Sequence, residues 1–183
     1  MKIHDTPLPG LCLVESARRS DHRGRFERVY CQQALSSLHP LLHVAQANLS
    51  TTLGRGSLRG MHFQAAPALE AKLVRCLRGK VHDVAVDLRE GSATFLKWHA
   101  VELSEDQPYA LFIPEGFAHG FQVLSDEAQL LYLHSAAWSA ECEGGLRHDD
   151  PALSIPWPLP VGAISDRDLG HPLLDSGFTG IPS

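Results

Sequence analysis

The stretch Leu58-Arg59-Gly60-Met61-His62-Phe63-Gln64, with Lys72 a short reach downstream, gathers a guanidinium, an imidazole and an ammonium. A histidine beside two cations can serve as a neutral base next to a held anion. If the stretch is a strand, its side chains alternate, and Leu58, Gly60 and His62 face one way. Arg59, Met61 and Phe63 then face the other, unless a bulge at Gly60 re-aims them. A second histidine, His119, lies in Ile113-Pro114-Glu115-Gly116-Phe117-Ala118-His119-Gly120-Phe121, where flanking glycines permit close approach of a ligand to backbone. Tyr132 offers a phenolic acid, and Ser165-Asp166-Arg167-Asp168 offers carboxylates able to orient a histidine.

Other chemistries fit less well. Zinc and iron sites usually draw three or four ligands, often at His-x-His or His-x-Glu spacing. Neither His62 nor His119 has a second ligand two residues away, so no metal is expected. No Ser or Cys sits in a Gly-x-Ser-x-Gly elbow, and phosphate-binding glycine loops are missing. A phosphate would have to be held by side chains such as Arg23, Arg59 and Lys72. Of the eleven histidines, His4, His39 and His99 read as surface residues, and His82 and His134 as packing or network residues on strands.

The elements that position these groups read as β. Strands are expected at 10–14, 25–30, 44–50, 58–64, 94–103, 109–113, 120–124 and 128–134, with turn chemistry about every ten residues. Ser20 to Gly24 reads as a turn, Cys31 to Leu38 as a helical turn stopped by His39-Pro40, and Thr51 to Gly56 as a link. Ala71 to Leu77, Arg78-Gly79-Lys80 and Val81 to Leu88 read as a β-hairpin. Residues 149–183 carry many prolines and should wrap the barrel, anchored by Leu159, Ile164, Leu173 and Leu174. With 183 residues and 44% hydrophobic content, one all-β antiparallel domain over residues 1–183 is the expectation.

A net charge of -5 gives no reason to expect nucleic acid as a partner. The start lacks a signal-peptide layout, and no apolar run approaches the roughly 20 residues that span a bilayer. Cys12, Cys31, Cys76 and Cys142 form no CxxC pair and read as free thiols, which points to the cytoplasm.

Many ordered pieces carry a family resemblance over about residues 3 to 175. They include Arg23-Gly24, Gln46 and Asn48, the 58–64 stretch, Lys72-Leu73-Val74-Arg75, Val84 to Arg89 and Ile113 to Phe121. Leu131-Tyr132, Glu141 and Glu143, Asp150-Pro151-Ala152-Leu153, Trp157-Pro158 and Ser165 to Asp168 continue the series. The chain resembles the dTDP-4-dehydrorhamnose 3,5-epimerases. The resemblance implies a cupin-type jelly roll of two antiparallel sheets with short peripheral helices, working as a homodimer without metal or redox cofactor. It implies a nucleotide-sugar substrate, and it casts His62 as the base, Asp168 as its orienting carboxylate, Tyr132 as the acid and Lys72 as the cation beside the keto oxygen. Arg23, Gln46, Asn48, Arg59, His119, Glu143 and Arg167 fall where the family contacts substrate, as do Phe26, Arg28 and Trp138 by position. Four departures stand out. Arg28 occupies a position where the family usually has Glu, and Trp138 one where it has a second tyrosine. Ala47 replaces a polar residue, and the link from Asn48 to Arg59 is one residue longer. Single-centre 3- or 5-epimerisation, a CDP-linked sugar and non-catalytic binding are the alternatives.

Overall fold

The structure, a computed structural model, describes residues 1–38 and 43–182. In chain order its elements are β1 (Lys2–Asp5), β2 (Cys12–Glu15), β3 (Arg18–Asp21), β4 (Gly24–Glu27), α1 (Gln32–Leu35), β5 (Gln46–Leu53), β6 (Leu58–Gln64) and β7 (Lys72–Arg78). There follow β8 (Lys80–Asp87), β9 (Trp98–Ser104), β10 (Tyr109–Ile113), β11 (Phe117–Val123), β12 (Glu127–His134), β13 (Glu143–Gly145) and α2 (Asp166–Leu169). One sheet runs β1-β2-β10-β7-β12-β5, the facing sheet β13-β6-β11-β8-β9, and β3-β4 stand apart as a two-stranded ribbon. The strands named pair antiparallel, as in a cupin-type jelly roll.

Period-two alternation sorts each strand between layers. Val74 and Cys76 of β7, Leu111 and Ile113 of β10 and Leu130 of β12 point inward against Val81, Ala85, Phe117, Phe121 and Val123 of the facing sheet. Their neighbours point outward. Leu73, Ala110 and Phe112 are covered by Leu35 of α1, and Val84, Val86 and Ala118 by Leu153, Ile155 and Ile181 of the C-terminal segment. Lys72, Tyr132 and His134 share the inward parity of Val74 and Leu130, which puts polar groups at one end of an otherwise apolar interior.

Several expectations change. Residues 71–88 are not a hairpin: β7 and β8 lie in different sheets, and Gly79 (φ +73°) turns the chain from one layer to the other. A Cβ there would strike the Glu127 backbone, which requires glycine. Ser20 and Asp21 belong to β3, and the ribbon's turn narrows to His22-Arg23. The predicted strand at 25–30 ends at Glu27, β5 runs on through Leu53 into the expected link, β9 starts only at Trp98, and β11 begins early at Phe117. The strands β1, β3 and β13 come in addition to those expected. The helix shortens to Gln32–Leu35, and its expected stop, His39-Pro40, lies outside the described residues. In the C-terminal wrap, Leu173 is 48% exposed and anchors nothing, whereas Leu174, Trp157 and Phe178 pack with the buried Leu153, Ile155 and Ile181. His99 is half-buried, and burial lowers its pKa. His82 packs edge-on to Trp157. All four cysteines are free, and burial pushes the Cys76 thiol up to about 12.

Candidate active site

The interior opens at its polar end into a cavity of about 240 Å³. His62 and Arg59 line it together, although simple alternation would separate them. The reason is a bulge. On β11, His119 pairs with His62 and Phe121 with Arg59, so β6 carries one extra residue between those pairs. Gly60 absorbs it at φ +115°, where a Cβ would fall 2.5 Å from the Gly120 Cα. Met61, displaced by the bulge, turns outward and is fully buried.

The bulge also frees the Gly60 N–H, and Asp168 collects it. Asp168 Oδ2 accepts from Gly60 N at 3.1 Å, and Oδ1 accepts from His62 Nε2 at 2.9 Å. Ser165 caps α2 by accepting from Asp168 N at 3.1 Å, which locks the carboxylate's backbone in place. Burial alone would raise the Asp168 carboxyl; the bonds from His62, Gly60 and Ser165 outweigh it and hold the pKa at about 2. An ionised carboxylate only accepts, so His62 donates through Nε2–H and keeps the lone pair on Nδ1.

Across the cavity stand Tyr132 and Lys72 of the opposite sheet. Burial, then the nearby Asp83, push the Tyr132 phenol well above its usual range. Lys72 is 7% exposed; its Nζ lies 3.0 Å from Glu70 and 3.4 Å from the His62 carbonyl oxygen. His119, buried, hydrogen-bonds Asp83 at 2.9 Å and meets the Tyr132 ring edge-on at 5.8 Å. At the mouth, Gln64 accepts from Ser139 N at 2.6 Å, and Trp138 Nε1 donates to Glu143 at 2.8 Å. Glu143 in turn pairs with Arg167 at 2.5 Å, and Gln46 accepts from Trp138 N at 3.0 Å. Arg59 donates to Thr52 at 2.8 Å. Arg59 and His62 also line an adjoining groove with Arg167 and Asp168.

Of the residues read from sequence, His62, Lys72, Tyr132, Gln46, Asn48, Arg59, His119, Trp138 and Glu143 line one cavity, with Asp168 behind His62. Arg167 stands at its rim. Arg23, Phe26 and Arg28 do not join them. They lie on or just after the β3-β4 ribbon, Arg23 paired with Asp21 at 2.6 Å and Phe26 74% exposed. The ribbon's root is fixed, because Glu27 bonds Arg75 at 2.5 Å and Arg18 at 3.3 Å. Sequence reasoning misses Glu70, Asp83 and His171, and it gives His134 only a packing or network role. Parity finds two of them: His134 follows Tyr132 by two on β12, and Asp83 shares the face of Val81 and Ala85. His62, Asp168 and His171 form the one group of metal-ligand types among the described residues, within 4.8 Å. Burial, then His62, lower the His171 pKa.

An imidazole held by a carboxylate faces a lysine and a tyrosine across a jelly-roll cavity, an arrangement that fits an enzyme of the isomerase class. A family model described as dTDP-4-dehydrorhamnose 3,5-epimerase matches residues 5–176, and the chain belongs to that family. A Shigella flexneri dTDP-4-dehydrorhamnose 3,5-epimerase is 38% identical over 180 residues, covering 97% of this chain and 99% of its own. A Streptomyces niveus dTDP-4-dehydrorhamnose 3-epimerase is 38% identical over 169 residues, covering 92% and 81%. Among solved structures, a Legionella pneumophila dTDP-6-deoxy-D-glucose-3,5-epimerase in complex with dTDP-4-keto-L-rhamnose aligns with a TM-score of 0.90 at 35% identity, covering 98% of this chain and 97% of the other.

Proposed function

We propose that the chain converts dTDP-4-dehydro-6-deoxy-D-glucose to dTDP-4-dehydro-L-rhamnose by proton transfer at C3 and C5. The observation that supports this reading is the His62–Asp168 pair facing Tyr132 and Lys72 across one cavity. His62 Nδ1 removes the proton beside the C4 ketone, and the electron pair moves onto the ketone oxygen as an enolate. Lys72 donates to that oxygen, and Asp168 stabilises the imidazolium. Tyr132, from the opposite sheet, delivers its proton to the other face of the carbon, which inverts the centre. The proton on His62 and the vacancy on Tyr132 then exchange with solvent. A phenol held above its usual range keeps its proton until a strongly basic carbanion appears.

Arg59 and Arg167 hold the diphosphate, with Gln46, Asn48, His119 and Glu143 around sugar and nucleotide, and Trp138 stacks on the base. The protein works as a cytoplasmic homodimer in which the ribbon carrying Arg23, Phe26 and Arg28 completes a neighbour's site. Exposed Leu49 and Leu53 on the edge strand β5, with exposed Phe26, support such pairing. No helix among the described residues is long and apolar enough to cross a membrane. Residues 1–183 act as one domain, and neither metal nor redox cofactor enters the chemistry.

Incubation with dTDP-4-keto-6-deoxyglucose in D₂O tests the reading, with deuterium expected at C3 and C5. No exchange from folded protein, with CDP and GDP analogues also inert, removes it. The Streptomyces niveus 3-epimerase has the same 38% identity as the 3,5-epimerase from Shigella, over a somewhat shorter stretch, which favours a second reading: epimerisation at one centre. Deuterium at a single carbon would establish that outcome.

A further inference from the structure

One buried group in the cavity has no task in this chemistry. Glu70 stands just ahead of β7, with Oε1 3.0 Å from Lys72 Nζ and Oε2 2.7 Å from His134 Nδ1. Lys72 and His134 are register partners across β7 and β12. Their side chains are 8% and 12% exposed, so both are nearly withdrawn from solvent. The His134 ring also stacks on Tyr132, with centroids 5.9 Å apart and planes 15° from parallel.

Glu70 decides the hydrogen-bonding character of both neighbours. Burial would raise its carboxyl, but the His134 hydrogen bond and the Lys72 charge hold it below the usual carboxylate range. An ionised carboxylate accepts and never donates, so His134 gives it Nδ1–H and retains a lone pair on Nε2. Asn48 Nδ2, an amide donor, lies 3.3 Å from that Nε2, as this tautomer requires. One wall of the cavity therefore presents an ammonium donor beside an imidazole acceptor, both fixed by one carboxylate.

We infer that Glu70 is a positioning residue, and that Lys72 and His134 form a subsite for an α-hydroxy ketone. The inference rests on the substrate class proposed above. Lys72 donates to the C4 ketone oxygen, while the hydroxyl on the adjacent carbon, C3, displaces the Asn48 amide and donates to His134 Nε2 in its place. A substrate that puts a methylene there pushes the Asn48 amide aside without supplying a donor of its own, and leaves a buried acceptor unpaired.

The experiment compares deuterium uptake at C5 from D₂O for dTDP-4-keto-6-deoxyglucose and its 3-deoxy analogue, using the full chain. The wild-type protein prefers the hydroxylated sugar, and in His134→Ala the kcat/KM ratio between the two sugars falls about tenfold. His134→Gln, whose carbonyl accepts, recovers part of that ratio. Long-range ¹H–¹⁵N NMR finds the His134 proton on Nδ1 in the wild-type protein and a mixed tautomer in Glu70→Gln, a signature that a purely structural role for Glu70 would not move. An Nε2–H tautomer in the wild-type protein, or a loss in His134→Ala equal for both sugars, overturns the assignment. Wild-type protein that exchanges neither sugar overturns the epimerase reading instead, and the tautomer still decides what Glu70 does.

Discussion

Two histidines on the adjacent strands β6 and β11 each make a 2.9 Å hydrogen bond to a carboxylate, His62 to Asp168 and His119 to Asp83, yet the two pairs are built differently. In His62–Asp168 the imidazole is 31% exposed, the carboxylate collects donors from His62 and the Gly60 backbone, and the Asp168 N–H is anchored on Ser165 at the α2 cap. In His119–Asp83 the imidazole is 5% exposed, the carboxylate is fully buried, and Asp83 Oδ2 has no hydrogen-bond partner. A base must release its proton to solvent after each turnover, so its ring needs an open side. Its carboxylate must stay ionised while the imidazole gains and loses charge, so extra donors are useful. The buried pair meets neither need and suits a fixed ligand contact. The difference fits His62 to the proposed base and His119 to the proposed binding contact, although both read as His plus Asp.

The largest expected break falls on the open pair. His62→Ala should lower deuterium exchange at both carbons by roughly 10⁴-fold, the upper range for a general base. Tyr132→Phe tests the acid facing that base: turnover should drop about 10²-fold or more, while exchange at the deprotonated carbon survives better. Equal and mild losses in both variants would count against His62 as base and Tyr132 as acid. Asp168→Asn keeps the shape but lets His62 take the wrong tautomer, and kcat should fall on the order of 10²-fold. The same change in the buried pair, Asp83→Asn, should cost only about tenfold in kcat/KM, mostly through KM, as for a lost binding hydrogen bond. Equal kinetic losses in Asp168→Asn and Asp83→Asn would erase the distinction between the pairs.

The smallest effect is on stability against pH. The Asp168 carboxyl sits at about 2 in the folded protein against an ordinary 3.8. A depressed carboxyl adds stability that is fully present above the unfolded value and is lost as pH falls through the folded one. Urea unfolding between pH 5 and pH 2 should show up to about 2 kcal/mol of this dependence, and Asp168→Asn should flatten it. A wild-type curve already flat across that window would mean the donors around Asp168 do not hold it ionised.

Much of this is legible in the sequence because alternation and turn chemistry are local. The 58–64 strand follows from period two, and the bulge demanded by Arg59 and His62 is present at Gly60. What stays hidden depends on partners distant in sequence. Gly79 carries the same turn signature whether its flanking strands pair or part into two sheets, so a sheet crossing reads as a hairpin. Glu70 precedes its strand and has no parity to place it. Leu173 and Leu174 are adjacent and equally apolar, and only the path of the wrap decides that Leu174 packs and Leu173 faces water. Arg23, Phe26 and Arg28 stand at positions where the family contacts substrate, yet they lie on or just after the ribbon, apart from the cavity, and no local pattern reports that.

The contact between His62 and Asp168 joins residues 106 positions apart, and this sets an order of events during synthesis on the ribosome. Every sheet strand has been made once Gly145 emerges, whereas the carboxylate that orients the base arrives only with α2. A nascent chain can therefore pair its strands before the carboxylate that holds the proposed base has been made. Chains arrested between those two points would lack Ile181 over Val84, Val86 and Ala118, and would be nearly silent as catalysts until the last segment is released.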